Sequence, residues 1–571
     1  MDDSKDLLSQ ILFEAKSYNT FEDIEKLVEI NSDLSQIPVQ PLYVSLVSSS
    51  SDQVARVLPK LSSEQRQVMV DLDLWYKDRI DVGAFEFWIE VYSKVQDLEY
   101  TKEFVSSDDF LIYLKSRVNI WTFDAEDPEY PDHDYYFLTD DNLLLVEYSE
   151  DYRYPNELKY LIRNMYDKFG VENAYSMLFK LINDSYSLIE EEGFQLKKER
   201  LREYGFVDHF DALEKLSPFI TLKQIDNFIQ NKKSITAKID NIAKNQSLHS
   251  SALVSFDAEM ENILNELSKV TDSFRANYLH FTFIRLINST ITLNNALKGG
   301  RVELTRIGKV TKVFLELGLQ KIKYDRDLES IFDTFDFFDV YRIGQSLILN
   351  ERTKIKKALK NTPFIKDDES FLGSWWVSFL ENSDFEVPKI KSFGAAKHTQ
   401  SVSSLPVYYT WRGEINLFVS SVPFIYSFYN AFQELKIESL LHDDFYLNYD
   451  VCDIDFEAII LSSFINFSIG NYDIDDNKKM GVTVADMQNF FNTLFQKIGE
   501  EYVLHLLESK IMTEKISNFV QKFGLSSIDR FDTYLYGILT EHLSGYEFDT
   551  LDYEDYKHVG GPIILNSTSK I

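Results

Sequence analysis

The sequence predicts a mainly α protein: an array of helical hairpins with one small β-hairpin insertion at about 118–150 and long helices in the middle. Three observations carry this reading. Apolar residues recur at 3.6-residue spacing in each third of the chain. Only 20 Gly and 12 Pro occur among 571 residues, too few for an all-β, collagen-like or low-complexity chain. Hydrophobic residues make up 44% and aromatics 15%, so a net charge of −33 still leaves enough apolar surface for packed cores.

The first third reads as short helices with clear start signals. Ser62-Ser63-Glu64-Gln65 is a capping box in which Gln65 reaches back to the Ser62 amide. Leu61, Val68, Met69 and Leu72 then form one apolar stripe. Asp81 is placed to cap the next helix, whose Phe85, Trp88, Ile89 and Tyr92 share a face. Asp108 and Asp109 precede another apolar run, Phe110 to Leu114. Residues 118–150 break the pattern: Val118, Ile120, Trp121 and Phe123 favour strand. Tyr135 to Leu138 and Leu143 to Tyr148 flank an Asp/Asn turn and read as a hairpin. Helices resume at about 154 and run to Leu216.

Residues 220–256 are polar and read as a linker. Long helices are predicted at about 257–297, 301–322 and 337–360, with Gly299-Gly300 as a stop. Residues 383–405 form a second weak segment. The longest uncharged run, Ile415 to Gln433, has acidic flanks and many polar side chains, which argues against a membrane span. It reads as an extended piece followed by a buried helix, with Ser421 as cap and Pro423 in the first turn. A last well-marked helix opens at Thr483 and runs through Phe495. Charge divides the chain into three expected domains: 1–218 at −23 (N-terminal helices with the hairpin), 219–400 at +4 (linker and long helices), and 401–571 at −14 (C-terminal helices).

Several stretches together resemble a known family. They are Asp71-Leu72-Asp73-Leu74-Trp75-Tyr76-Lys77-Asp78-Arg79, Tyr204-Gly205-Phe206-Val207-Asp208 with Ala212-Leu213-Glu214, and Tyr341-Arg342-Ile343-Gly344-Gln345-Ser346-Leu347. Ser462 to Asn471 and Gly560 to Leu565 complete the set. Their order resembles the bacterial family called domain of unknown function 6178, over roughly residues 35–570. The resemblance implies a bacterial, mainly helical protein and no particular activity. Pro38 to Val95 also looks loosely like the helical cytosolic domain of magnesium transporters, in its helix-hairpin character alone.

Chemistry is first constrained by what is missing. No G-x-G-x-x-G, G-x-S-x-G, P-loop or H-E-x-x-H pattern occurs. The single cysteine, Cys452, excludes an intramolecular disulfide and reads as a buried thiol. Four segments remain. In Asp71–Asp81, the residues Asp73, Asp78 and Arg79 could form a polar site beside an exposed Trp75. The favoured alternative is a helix–helix corner where Trp75 fills the core and Lys77 and Arg79 pair with carboxylates. The acidic loop 124–141, with Asp132, Asp134, Asp140 and Asp141, offers oxygen ligands for a divalent cation or is simply solvated. Asn471 to Asn477 imitates the start of an EF-hand loop but, counted from Asp473, lacks its Gly and Glu. Six bases in 352–366, including Lys356, Lys357 and Lys360, suit an acidic protein surface better than nucleic acid, which the overall charge repels.

The function expected on these grounds is a cytoplasmic helical scaffold or protein-interaction protein without catalytic activity and without a cofactor. It would have a protein partner, no nucleic-acid ligand and no membrane span. The alternative is an enzyme with an unfamiliar site, dependent on a divalent metal, in which distant polar residues converge in one pocket.

Overall fold

Capping side chains set the helix starts in the first part of the chain, in the computed structural model, where the sequence places them. Helices α1 (Val39–Leu46) and α2 (Ser51–Val57) lead to α3 (Ser63–Leu74). The Ser62 hydroxyl accepts from the Gln65 amide at 3.1 Å, and Gln65 Oε1 accepts from the Ser62 amide at 2.8 Å. The structure describes residues 39–124, 126–183, 186–233, 261–366, 369–391, 399–437, 454–471, 481–499, 501–504, 509–543 and 563–566, with scattered positions between 24 and 37. The expectations on Cys452, on Asp473 to Asn477 and on most of the 220–256 linker lie outside these residues. The chain divides into two units, residues 1–219 with 226–344, and residues 220–225 with 345–571.

In the first unit α3 does not turn directly into the next helix. A two-stranded ribbon intervenes, β1 (Trp75–Tyr76) and β2 (Arg79–Ile80), paired Trp75 to Ile80 and Tyr76 to Arg79. Then come α4 (Val82–Lys94), α5 (Leu98–Val105) and α6 (Asp108–Arg117). Asp81 caps α4 by accepting from the Ala84 amide at 3.2 Å. The expected hairpin is present and gains a third strand. Strands β3 (Val118–Thr122), β4 (Tyr136–Leu138) and β5 (Leu144–Tyr148) form an antiparallel sheet in the order β3-β5-β4. Helices α7 (Pro155–Phe169), α8 (Val171–Asn183), α9 (Tyr186–Glu203), α10 (His209–Lys215) and α11 (Leu222–Asn231) follow. So the linker reading fails at its start, because Ile225 and Ile229, four residues apart, are both fully buried.

The predicted helix 257–297 is two helices, α12 (Glu261–Leu267) and α13 (Ser273–Leu293). Asp272 ends the break by capping α13 through the Phe274 amide at 3.0 Å. Helix α14 (Gly300–Asp325) precedes α15 (Phe337–Leu359), whose residues to 344 belong to the first unit. Packing is pairwise: α2 on α4, α5 on α7, α6 on α9, α10 on α13 and α13 on α14.

The second unit contains β6 (Ile365–Lys366), β7 (Glu369–Ser370), α16 (Ser374–Asp384), β8 (Lys389–Lys391) and β9 (Thr399–Ser401). It continues with α17 (Leu405–Ile437), α18 (Phe456–Ser468), β10 (Val482–Thr483), α19 (Val484–Leu494), β11 (Phe495–Ile498) and β12 (Glu501–Leu504). Helices α20 (Ser509–Lys522) and α21 (Phe531–Leu543) and strand β13 (Leu565–Asn566) complete it. Besides the three-stranded sheet at 118–148, five short two-stranded ribbons occur among the described residues. Two expectations are corrected here. Phe495 starts β11 rather than ending a helix. Ile415 to Gln433 is not an extended piece and a helix but part of the 33-residue α17, with Pro423 inside it. Ser421 does not cap; its hydroxyl donates to the Leu417 carbonyl at 2.8 Å. An interior proline costs about 3 kcal/mol, and Trp411, Ile415, Phe418, Val422 and Ile425, buried around it, offset that cost. Trp376 centres this core, with ring centroids 4.8 Å from Tyr534 and 5.0 Å from Phe418.

Candidate functional site

Trp75 is buried, 6% exposed, and its indole N–H donates to Asp109 Oδ1 at 3.2 Å. The core-filling alternative for Trp75 therefore holds. Beside it Asp71, fully buried, accepts two 2.8 Å hydrogen bonds from the fork of Arg200 on α9. Gln67 donates to both carboxylates, at 3.2 Å to Asp71 and 3.0 Å to Asp109. Burial raises the pKa of both acids; for Asp109, with the Asp71 charge added, it is pushed up to about 6. α9 comes this close because Gly193 has no side chain: a Cβ there would lie 2.5 Å from Ile112 Cδ1 and 3.5 Å from the Trp75 ring. One turn on, Lys197 sits over the faces of Trp75 and Phe194, 5.7 and 5.0 Å from their ring centroids.

This cluster forms one wall of a cavity of about 590 Å³. Its lining comes from three places: Asp71 to Lys77, Lys197 to Lys215, and Arg285 with Ile291 to Leu297. The turn after α9 closes with Gly205 and Phe206 amides donating to the Arg202 and Leu201 carbonyls. It thereby delivers Phe206, Val207 and Asp208 to the cavity, and Asp208 caps α10 through the Phe210 amide at 3.0 Å. Lys198 is matched by carboxylates, 3.3 Å from Asp211 and 3.8 Å from Asp208. Arg202, Lys215 and Arg285 make no ion pair within 4 Å of a carboxylate among the described residues. Burial, then the Arg285 and Arg202 charges, pushes the Lys215 pKa down to about 8, and burial with Arg202 lowers that of Arg285. Asp211 acts on Lys215 and Arg285 from a distance and raises both, but forms its ion pair with Lys198, so in a chain of net charge −33 three cations gather here without a directly paired carboxylate among the described residues.

The other sequence candidates are placed as follows. Asp73 faces a second, more apolar cavity of about 270 Å³ lined by Tyr43, Leu46, Val54, Met69, Phe87 and Trp88, among others. It accepts from Tyr43 Oη at 2.9 Å and Trp88 Nε1 at 2.8 Å, with Lys298 Nζ 3.9 Å away. Asp78 and Arg79 are exposed in the ribbon and line neither cavity. The expected pairing of Lys77 and Arg79 with carboxylates is not found among the described residues; Lys77 lies over the Tyr76 ring at 5.3 Å. In the acidic loop, Asp132 and Asp134 are exposed, Asp140 pairs with Arg163 at 3.0 Å, and Asp141 accepts from Thr139 Oγ1 at 2.6 Å. No three His, Cys, Asp or Glu side chains are grouped to hold a metal ion among the described residues. In the basic run Lys354 pairs with Glu351 at 2.6 Å, whereas Lys356, Lys357 and Lys360 are exposed. No described helix is long and apolar enough to cross a membrane.

A family model described as a family of unknown function (DUF6178) matches residues 22–395. The chain belongs to that family. No curated protein and no solved structure matches it. The family match ends at residue 395, so the likeness seen at Ser462 to Asn471 and Gly560 to Leu565 lies beyond it. The likeness of Pro38 to Val95 to magnesium transporters has no support in these comparisons. Two of the stretches that carry the family likeness, Asp71 to Arg79 and Tyr204 to Asp208, contribute to the larger cavity.

Sequence reasoning missed Lys197, Arg200, Arg202, Lys215 and Arg285. Two signals were available. Lys197 falls on the same helical stripe as Phe194 and Leu201, a lysine on an apolar face. Arg285 is the single charged residue between Arg275 and Lys298, in a helix otherwise fit for a core.

Proposed function

We propose that this family member is a cytoplasmic helical binding protein whose first unit holds a small organic oxyanion, a phosphorylated or carboxylated molecule, in the cavity between α3, α9, α10 and α13. The observation that carries the reading is the convergence of Arg202, Lys215 and Arg285 on one cavity without a carboxylate partner within 4 Å among the described residues. Arg202 is exposed, but Lys215 and Arg285 are partly buried, and a partly desolvated cation without a pair is costly unless an anion completes it. Guanidinium groups suit planar or tetrahedral oxyanions because they donate in a fixed fork. A volume near 590 Å³ is in the ordinary range for a small-molecule site, about 300–1,000 Å³. The exposed Lys356, Lys357 and Lys360 support, in the second unit, a contact with an acidic protein partner rather than nucleic acid.

The test is thermal unfolding and calorimetry of the full chain with inorganic phosphate, pyrophosphate and citrate. Expected is a rise in melting temperature with ligand concentration, as for any ligand that binds only the folded state. Lys215→Gln with Arg285→Gln should abolish it. A flat response to all three anions, or an identical response in the double variant, refutes the reading.

A second reading, an enzyme, is favoured by one observation: the cavity is also lined by a lysine amine without hydrogen bond or ion pair among the described residues and by a carboxylate with a buried oxygen that accepts no hydrogen bond.

A further inference from the structure

We propose that Lys197 is a covalent-capture residue, whose amine condenses with the carbonyl carbon of a small anionic aldehyde or ketone held in the cavity. The inference rests on the oxyanion reading above and adds the ligand's reactive group.

Lys197 is only 9% exposed and lines the cavity, yet its nitrogen has no hydrogen bond and no ion pair within 4 Å among the described residues. A lysine kept as a countercharge sits on its carboxylate. Here Asp71 is occupied by the Arg200 fork, and Asp109 by Trp75 and Gln67. The nitrogen instead lies against two aromatic faces. Asp208, which also lines the cavity and whose side chain is 3% exposed, has a buried Oδ1 that accepts no hydrogen bond. So an amine and a carboxylate oxygen, both desolvated, face one cavity without contacting each other. Burial lowers the Lys197 pKa even against the raising charges of Asp208, Asp71 and Asp109. Each unit of such lowering increases the free-amine fraction at neutral pH about tenfold, and a desolvated lysine is a recognised nucleophile toward carbonyls.

The chemistry balances without an oxidant or a metal. The neutral amine attacks the carbonyl carbon, forming the C–N bond. Asp208 takes one N–H proton and passes it to the former carbonyl oxygen, giving a carbinolamine. Loss of that hydroxyl with the second amine proton releases one water and leaves the C=N bond. Arg202, Lys215 and Arg285 hold the ligand's anionic end throughout.

The experiment uses the full chain with pyridoxal 5′-phosphate as the anionic aldehyde probe, borohydride reduction, and peptide mass mapping. Expected is reduced adduct concentrated at Lys197, in clear excess over the mean exposed lysine, as burial lowers its pKa and leaves more free amine. Inorganic phosphate should suppress it, Lys197→Arg should remove it without changing the melting temperature, and Asp208→Asn should slow its formation. Adduct spread over exposed lysines with Lys197 unmodified overturns the proposal. If phosphate still stabilises the protein in that case, covalent capture alone has failed; if phosphate does not, the oxyanion reading has failed with it. Mapping on the parent chain keeps the test decisive even if a variant does not fold.

Discussion

Trp75 and Asp109, 34 residues apart in sequence, are joined by an indole N–H donated across 3.2 Å to a carboxylate that is 1% exposed. The bond fixes the ribbon after α3 to the start of α6. Asp109 in turn lies 3.6 Å from Arg200, whose fork holds Asp71. The wall of the cavity is thus one network of a tryptophan, two carboxylates and an arginine.

Truncating Trp75 to Ala should destabilise the first unit by about 3–5 kcal/mol, the range for large-to-small aromatic changes in a core. Denaturant titration checks it. Trp75→Phe keeps an aromatic ring in the core and removes the indole N–H donor along with part of the volume. The difference in fluorescence between parent and Trp75→Phe should titrate near pH 6, where Asp109 gains its proton, and Asp109→Asn should abolish that titration. The sign follows from the raised pKa. The folded chain binds more protons than the unfolded one between the ordinary 3.8 and about 6, so this group's contribution to stability falls as pH rises through that window.

Arg200→Met removes the cation that serves both buried carboxylates. Breaking a buried pair from one side costs about 3–5 kcal/mol because the other charge stays uncompensated. Asp71→Asn with Asp109→Asn in the same background should restore much of the lost stability. No recovery in the triple variant would mean that Arg200 contributes through packing of its stem instead.

How much of this was legible follows from the range of each interaction. The Ser62 and Asp81 caps and the β4–β5 hairpin are local, set by residues within about ten positions, and the sequence states them openly. The ribbon at Trp75 to Ile80 was missed because two-residue strands leave no periodicity to read. The sequence predicts a helix with Pro423 in its first turn rather than the continuous α17, since the local cost of proline is visible in it and the compensating burial of Trp411, Phe418 and Ile425 is not. The cavity was half visible. Asp71 to Lys77 attracted attention for its charges around a tryptophan. Its partners Lys197, Lys215 and Arg285 are supplied from more than 120 positions away, and no spacing rule reaches that far.

Gly318 of α14 and Gly344 of α15 face each other where those helices cross within the first unit. A Cβ on Gly318 would overlap the Val340 carbonyl, and one on Gly344 the Phe314 carbonyl. Gly344→Ala should therefore destabilise by about 1–3 kcal/mol, the cost of forced overpacking, despite the gain of about 1 kcal/mol that alanine brings to a helix interior. An unchanged denaturation midpoint would show that the crossing relaxes at no cost.

Lys356, Lys357 and Lys360 are exposed and make no ion pair within 4 Å among the described residues. Changing all three to Glu should leave the unfolding free energy within about 1 kcal/mol of the parent, as for surface charges generally. Fluorescence anisotropy with DNA and RNA should detect no binding by the parent at physiological salt. Micromolar, salt-sensitive binding lost in the triple variant would reverse the assignment of this face.

The pH dependence of anion binding tests the cavity most directly. Lys215 is pushed down from the ordinary 10.5 to about 8 by burial and by the Arg285 and Arg202 charges. Between those values the unfolded chain carries the proton and the ligand-free folded chain does not. Stability from this group therefore rises with pH from about 8 toward 10.5. Anion binding needs the ammonium and runs the other way, so affinity for inorganic phosphate should fall as pH rises above 8. A bound anion favours the charged lysine, so saturating phosphate should move the transition upward and flatten the stability curve across it. Calorimetry from pH 8 to 9.5, above the second ionisation of inorganic phosphate, separates the two trends without a change in the ligand's own charge. Lys215→Arg, which keeps its charge throughout, should bind phosphate with no fall above pH 8; the same fall in that variant would place the titrating group elsewhere.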